Sequence, residues 1–147
     1  MILISHRGNI NGKQPDKENH PLYIFEAIKQ GFQVEIDVWF IDGKFKLGHD
    51  EPTYDFPLEL LKYHSNKFWI HAKNLDAISQ LNILDKTGIY LNYFWHQEDD
   101  VTLTSKGHIW AYPNIKCKNS IAVMPPENYN LEGHIGICSD NIIQYGK

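Results

Sequence analysis

The length, composition and charge of the chain exclude several classes of protein. Its 147 residues, 42% of them hydrophobic and 22% charged, suit one hydrophobic core, so we predict a single domain over residues 1–147. The net charge of −4 lacks the basic excess of nucleic-acid-binding domains, and no apolar stretch approaches the roughly 20 residues of a membrane-spanning helix. The N-terminal apolar run reaches His6-Arg7 too soon for a secretory signal. These features predict a cytoplasmic protein whose cysteines, Cys117 and Cys138, stay reduced.

The first half of the chain alternates strand and helix signals. Apolar, β-forming runs predict strands at residues 2–4, 33–40, 68–70 and 89–95. Apolar residues at helical spacing predict helices that begin near Pro21, Leu58 and Asn74. Asp42-Gly43 predicts a hairpin turn into a further strand at Lys44–Leu47. This alternation favours a parallel sheet with helices packed on it.

Beyond residue 95 the strand signals lie closer together. Residues 108–112, 120–124 and 133–138 are rich in β-forming residues, but the segments between them are too short for ordinary crossover helices. A closed eight-stranded α/β barrel typically has about 250 residues. The sequence therefore predicts an α/β fold of the TIM-type (β/α) barrel class, reduced, with most helices of the second half missing.

Polar side chains stand at the ends of the predicted strands, where α/β proteins assemble their active sites. Glu35 and Asp37 are two residues apart in one strand, so both carboxylates share a face. The apolar residues that alternate with them would occupy the other face, which places the two acids inside the barrel. Other strand ends add further side chains to the same edge, namely His6, Arg7, His49, Asp50, His71 and Lys73.

These residue types suit the cleavage of a phosphodiester. Two buried carboxylates are costly without a positive partner, and oxygen donors suit a hard cation such as Mg²⁺ or Ca²⁺. Arg7 suits a bidentate grip on phosphate, and Lys73 a point charge beside it. His6 and His49 suit proton transfer near neutral pH, one as base and one as acid.

Six short motifs follow one another in the first fifty residues: His6-Arg7-Gly8, Glu18-Asn19, Ala27-Ile28 with Gly31, Glu35-Ile36-Asp37-Val38, Asp42-Gly43 and Leu47-Gly48-His49-Asp50. Their order and spacing resemble the glycerophosphodiester phosphodiesterase family and its phosphatidylinositol-phospholipase-C-like relatives. Near the C-terminus, the segment from Gly136 to Asn141 is similar to the last strand of that family.

The resemblance implies an α/β barrel with a Mg²⁺ or Ca²⁺ ion on Glu35 and Asp37, and with His6 and His49 as acid and base. It also implies a mechanism in which a substrate hydroxyl attacks the neighbouring phosphate. The product would be a cyclic phosphate that water then hydrolyses. The expected enzyme is thus a phosphoric diester hydrolase.

The chain departs from the family pattern at the third predicted strand. The family usually has Glu-x-Lys there, and this chain has His71-x-Lys73. Lys73 keeps the position of the family lysine, whereas His71 is either a site residue or a structural one. A neutral imidazole in place of the acid would weaken the site for hard cations.

Three further residues are expected to support the site. Glu18 and Asn19 suit the start of a helix and could brace the site at the same time. Asp50 is expected to orient a histidine by hydrogen bonding.

The leading hypothesis is a metal-dependent enzyme that cleaves a small glycerol- or sugar-linked phosphodiester. One alternative is a lyase that releases the cyclic phosphate, and another is a catalytically weak phosphodiester-binding module. The absence of second-half helices would leave apolar wall uncovered, which predicts a homodimer.

Overall fold

One curled, mixed β-sheet forms the frame of the computed structural model, which describes residues 1–146. In chain order these residues form β1 (Ile2–His6), α1 (Pro21–Lys29), β2 (Gln33–Ile41), β3 (Lys44–Leu47), β4 (Tyr54–Asp55), α2 (Leu58–Tyr63), β5 (Phe68–Ala72), α3 (Leu75–Asp85), β6 (Asn92–Trp95), β7 (Val101–Leu103), β8 (Ile109–Ala111), β9 (Ser120–Val123) and β10 (Gly136–Ser139). Short 3₁₀ turns cover Ser65–Lys67 and Ile142–Tyr145.

Local signals account for the ends of helix α1. Pro21 occupies the first turn, where its missing N–H costs nothing, and the His20 side chain accepts a hydrogen bond from the Leu22 N–H. The helix ends before Gly31, whose φ of 96° suits glycine. The predicted start and end of α1 are both confirmed.

Asn74 joins helix α3 to strand β2. Its side-chain oxygen accepts a hydrogen bond from the Ala77 N–H, which caps α3 as predicted. The same amide also pairs with Phe40, accepting from its N–H at 3.1 Å and donating to its carbonyl at 2.9 Å. One side chain therefore starts the helix and fixes it against the sheet. The predicted Asp42-Gly43 turn is also present, with φ values of 51° and 75°.

The sheet runs in the order β6-β5-β2-β1-β10-β9-β8-β7. The first seven of these strands are parallel to their neighbours, and β7 is antiparallel to β8. Strand β3 pairs antiparallel with the second half of β2, and β4 pairs antiparallel with β3. The first and last parts of the chain meet at the centre, because β1 lies between β2 and β10.

The predicted reduced TIM-type barrel is wrong, because the structure is a curled mixed sheet that forms a half-barrel. No α-helix follows α3 within the described residues, and an antiparallel β7–β8 pair takes the place of a crossover unit. Within residues 1–146, no backbone hydrogen-bond ladder pairs β6 with β7. Thr102 of β7 instead donates its hydroxyl to the Trp95 carbonyl at 2.9 Å, and Ser105, just after β7, donates its N–H to the Tyr93 carbonyl at 2.7 Å.

Two apolar clusters lie on opposite faces of the sheet. The larger one packs under the helices and takes Val34, Ile36 and Val38 from β2. The smaller one contains residues of the other face, among them Trp69, Phe94, Trp110 and Cys138. None of the helices within residues 1–146 is long and apolar enough to cross a membrane. Cys117 and Cys138 are free.

Candidate functional site

The carboxyl ends of β1, β2 and β5 bring the predicted site residues together. In the strand register His6 lies opposite Glu35, and Asp37 lies opposite His71. Both carboxylates are buried on the face away from Val34 and its apolar neighbours, as the spacing of two predicts. The side chains are therefore held by hydrogen-bonded strands.

Glu35, Asp37 and His71 could together hold a metal ion, since each offers a ligand atom and these atoms lie within 4.8 Å of one another. His71 Nδ1 is 3.2 Å from Asp37 Oδ1 and 3.9 Å from Glu35 Oε1. Two buried oxygens, Glu35 Oε2 and Asp37 Oδ1, have no hydrogen-bond partner within residues 1–146. Buried carboxylate oxygens without donors are costly, so the donor set fits a divalent cation.

Asp37 is held from two sides. Asn19 donates to Asp37 Oδ2 at 2.8 Å, and its side-chain oxygen accepts from the Asp37 N–H at 3.0 Å. Arg7 Nε lies 2.9 Å from Oδ2, and Lys73 Nζ lies 3.7 Å from Oδ1. Burial raises the pKa of Asp37, but the His71 imidazole and the Arg7 and Lys73 charges outweigh it and hold the pKa well below its usual range. Asp37 is therefore ionised.

Glu35 lies in a different electrostatic environment from Asp37. Burial and then the neighbouring Asp37 charge raise the pKa of Glu35 above its usual value, in spite of the nearby His6 and Arg7. The two acids of one strand face thus differ because the cationic partners of Asp37 are closer: Arg7 Nε lies 2.9 Å from Asp37 Oδ2, whereas His6 Nε2 lies 3.9 Å from Glu35 Oε2. A metal ion would supply the charge that Glu35 lacks.

His6 is oriented by an acid from the other end of the chain. Its Nδ1 lies 2.7 Å from Asp140 Oδ1, and its Nε2 lies 3.9 Å from Glu35 Oε2. Asn9 donates to the same Asp140 oxygen at 2.7 Å and to Glu18 at 2.9 Å. Burial lowers the pKa of His6, but the Asp140 hydrogen bond and the Glu35 charge outweigh it and raise the pKa. The arrangement leaves Nε2 as the nitrogen for proton transfer.

Arg7 is engaged with protein carboxylates. Its Nη1 donates to Glu18 Oε2 at 3.1 Å while its Nε pairs with Asp37. Burial lowers the pKa of Arg7, but the charges of Glu35 and Asp37 outweigh it, so the pKa rises and the group stays charged. A phosphate gripped by these two nitrogens would have to displace both pairs.

The loop after β3 places His49. The Gly48 N–H donates to the Asp37 carbonyl at 3.1 Å, and the Gly48 carbonyl accepts from Trp39 Nε1 at 2.6 Å. A Cβ at Gly48 would collide with the Glu51 carbonyl oxygen, so the loop requires glycine here. His49 itself is 43% exposed and its Nδ1 pairs with Asp50 Oδ1 at 2.8 Å, the contact that was expected to orient a histidine.

A cleft of about 650 Å³ contains most of these groups. His6, Glu35, His49, His71 and Lys73 all line it. The remaining wall combines cationic and aromatic side chains, including Lys13, Trp95, Trp110 and Tyr112. The cleft thus joins an acidic floor to basic and aromatic walls.

Acids outnumber permanent cations in the connected cluster around this floor. The charged side chains that direct ion pairs or hydrogen bonds join into this cluster within residues 1–146 are Glu18, Glu35, Asp37, Asp140, Arg7 and Lys73. The excess of two negative charges equals the charge of one divalent cation. Protonation of His6, whose pKa is raised, would supply part of the same charge.

The structure changes the expected roles of several residues. Asn19 braces the site but does not start helix α1, because His20 supplies the cap. Asp140 and Asn9 were absent from the predicted site, although the segment Gly136 to Asn141 had been singled out for its resemblance. The pairing of β1 with β10 brings Asp140 to His6, and no local pattern reveals that pairing.

Comparison of the chain with protein-family models, with curated proteins and with solved structures finds no match.

Proposed function

We propose that the protein is a metal-dependent phosphodiesterase that acts on a small phosphodiester in the cleft at the carboxyl ends of β1, β2 and β5. The observation that carries the proposal is the buried set Glu35, Asp37 and His71 beside the His6–Asp140 pair. A divalent cation on this set would stabilise negative charge that develops on the phosphate.

His6 is the proposed base. Asp140 accepts a hydrogen bond from Nδ1, which fixes the ring and directs Nε2 into the cleft. A nucleophilic hydroxyl within hydrogen-bond reach of Nε2 would lose its proton to His6. The Asp140 carboxylate would then stabilise the imidazolium that forms.

Cationic side chains support the binding of the phosphate. Lys73 lies at the floor of the cleft, and Lys13 lies at its wall. His49 lines the same cleft from the loop after β3, and with Nδ1 paired to Asp50 its Nε2 is the nitrogen that could protonate a leaving oxygen. Because His6 and His49 line one cleft, they could serve one phosphate as base and acid.

The test is a panel of phosphodiesters, including glycerophosphodiesters and bis(p-nitrophenyl) phosphate, assayed with Mg²⁺, Ca²⁺, Mn²⁺ or Co²⁺ and with EDTA. We expect activity that EDTA abolishes and that His6→Gln and Glu35→Gln each lower by about 100-fold or more. Glu127→Gln on the exposed surface serves as the control. Full activity in His6→Gln, or in EDTA, would end the proposal.

Two further measurements separate the alternatives. Phosphorus NMR identifies a cyclic phosphate product and so distinguishes a lyase from a hydrolase. Calorimetry that shows phosphodiester binding, with no product after long incubation, would select the binding module. The exposed position of His49 is the feature that favours the catalytically weak binding module.

The proposed setting is the cytoplasm, supported by the free thiols of Cys117 and Cys138. We also propose a homodimer whose interface includes the exposed apolar side chains Val101 and Leu103, which share one face of strand β7. A monomeric mass in light scattering at micromolar concentration would refute the dimer.

A further inference from the structure

We propose that His71 is a nitrogen ligand which makes the Glu35–Asp37 site prefer late first-row transition ions, such as Co²⁺ and Zn²⁺, over Mg²⁺ and Ca²⁺. The inference rests on the proposed metal site and concerns which ion it takes. Carboxylate oxygens alone suit hard cations, whereas an imidazole shifts a site towards borderline ions.

The position of His71 is set by the sheet. It lies directly opposite Asp37 in the parallel register of β2 and β5, and its ring stacks on Phe94 at a centroid distance of 5.1 Å and an interplanar angle of 16°. Strand pairing thus fixes the backbone of His71, and the stack on Phe94 limits the rotation of its ring. A ligand on a strand keeps its geometry better than one on a loop.

The hydrogen bonding of His71 determines which nitrogen is free. Nε2 lies 2.8 Å from the carbonyl oxygen of His96, and a carbonyl can only accept, so Nε2 carries the proton. In the neutral ring the lone pair is therefore on Nδ1, which is the nitrogen that faces Asp37 and Glu35. A ring N–H donated to a backbone carbonyl is the arrangement that orients metal-ligating histidines.

Two acid oxygens beside Nδ1, unpartnered within residues 1–146, support a cation shared by the ring and the carboxylates. Asp37 Oδ1 accepts no hydrogen bond within the described part of the chain, although Nδ1 is 3.2 Å away. Glu35 Oε2 is also buried and unpartnered. A lone pair facing two carboxylates is repulsive, and a shared cation removes the repulsion. The rival arrangement is an imidazolium that forms an ion pair with Asp37 and binds no metal.

Isothermal titration of the full chain with Co²⁺ and with Mg²⁺ at pH 7.5 tests the preference. The measured quantity is the ratio of the Mg²⁺ to the Co²⁺ dissociation constant, compared among the wild type, His71→Glu and His71→Gln. We expect His71→Glu to lower this ratio at least tenfold, because it replaces the nitrogen donor with oxygen. The control is His96→Gln, since His96 contacts His71 through its backbone carbonyl. A ratio in His71→Glu within twofold of the wild type would overturn the inference.

A spectroscopic readout on the wild type avoids any folding defect in the variants. A ligating imidazole in the Co²⁺-loaded protein gives a hyperfine-shifted, exchangeable ring N–H signal in proton NMR. We expect one such signal that is absent from His71→Gln and present in His96→Gln. If Co²⁺ binds and the wild type lacks the signal, the inference fails while the metal site survives. If neither ion binds the wild type, the proposed function fails as well.

Discussion

His6 and Asp140, 134 positions apart in the chain, form a hydrogen bond of 2.7 Å at the ends of two neighbouring parallel strands. The pair depends on β1 lying beside β10, which brings the first strand against the last. The candidate proton-transfer residue is therefore oriented by a group from the opposite end of the chain. The contact at the junction of the first and last strands therefore also orients the proposed base.

The first prediction concerns this pair. Asp140→Asn keeps the size of the side chain but removes the charge that stabilises an imidazolium at His6, so we expect phosphodiesterase activity to fall by about 100-fold. Nitrogen-15 NMR of the His6 ring gives a second readout, because Asp140 favours the tautomer protonated on Nδ1. The exposed Glu127→Gln substitution is the matched control. An unchanged tautomer and unchanged activity would contradict the positioning role.

The second prediction concerns Asn19, which has a positive φ of 63° and makes two hydrogen bonds to Asp37. Asn19→Gly keeps the backbone conformation and removes both bonds, so we expect a loss of about 2 to 4 kcal/mol in the free energy of unfolding. Asn128→Gly is the control, since Asn128 is exposed with a φ of 61°. Urea denaturation of both variants gives the comparison. Equal stability of the two would show that the contacts to Asp37 add nothing.

The third prediction is that Glu35→Gln stabilises the metal-free protein. Glu35 is buried with one unpartnered oxygen, so removing its charge should raise the free energy of unfolding in EDTA by about 1 to 3 kcal/mol. In excess Co²⁺ the wild type should be the more stable of the two proteins, because the variant has lost a metal ligand. Thermal melts with and without the ion measure both effects. A variant less stable than the wild type in EDTA would mean that the Glu35 charge is already compensated.

The fourth prediction is a pH effect at His134, remote from the site. Burial lowers the pKa of His134 from its usual 6.5, and the Lys116 charge adds to this against an opposing Ser120 contact. Between the lowered pKa and 6.5 the folded state therefore binds fewer protons than the unfolded state, so stability is lost as the pH falls from 6.5 through the lowered pKa.

His134→Gln isolates this contribution. The substitution removes the contact of His134 with the Ser120 hydroxyl, so the variant should be less stable at pH 7.5. Its further loss between pH 7.5 and pH 5.5 should be smaller than that of the wild type. Urea denaturation at the two pH values measures the difference. A parallel pH dependence in the two proteins would exclude His134 as its source.

Local patterns predicted the elements that local physics controls. Pro21 and Gly31 bound helix α1, Asp42-Gly43 turns the hairpin, and Asn74 caps α3, each through contacts within a few residues. The shared face of Glu35 and Asp37 also follows from the alternation of a strand. The three residues Val101–Leu103 carried too short a signal to predict β7.

The sequence by itself determined which acids share a face and which residues stand at strand ends, because these properties depend on backbone periodicity alone. Only the tertiary structure decided that β7 pairs antiparallel with β8 and that Asp140 orients His6. It also decided that the Nδ1 of His71 faces the two acids. Those features depend on strand order and on contacts between distant residues, where packing and hydrogen bonding select among arrangements that the local sequence leaves equal.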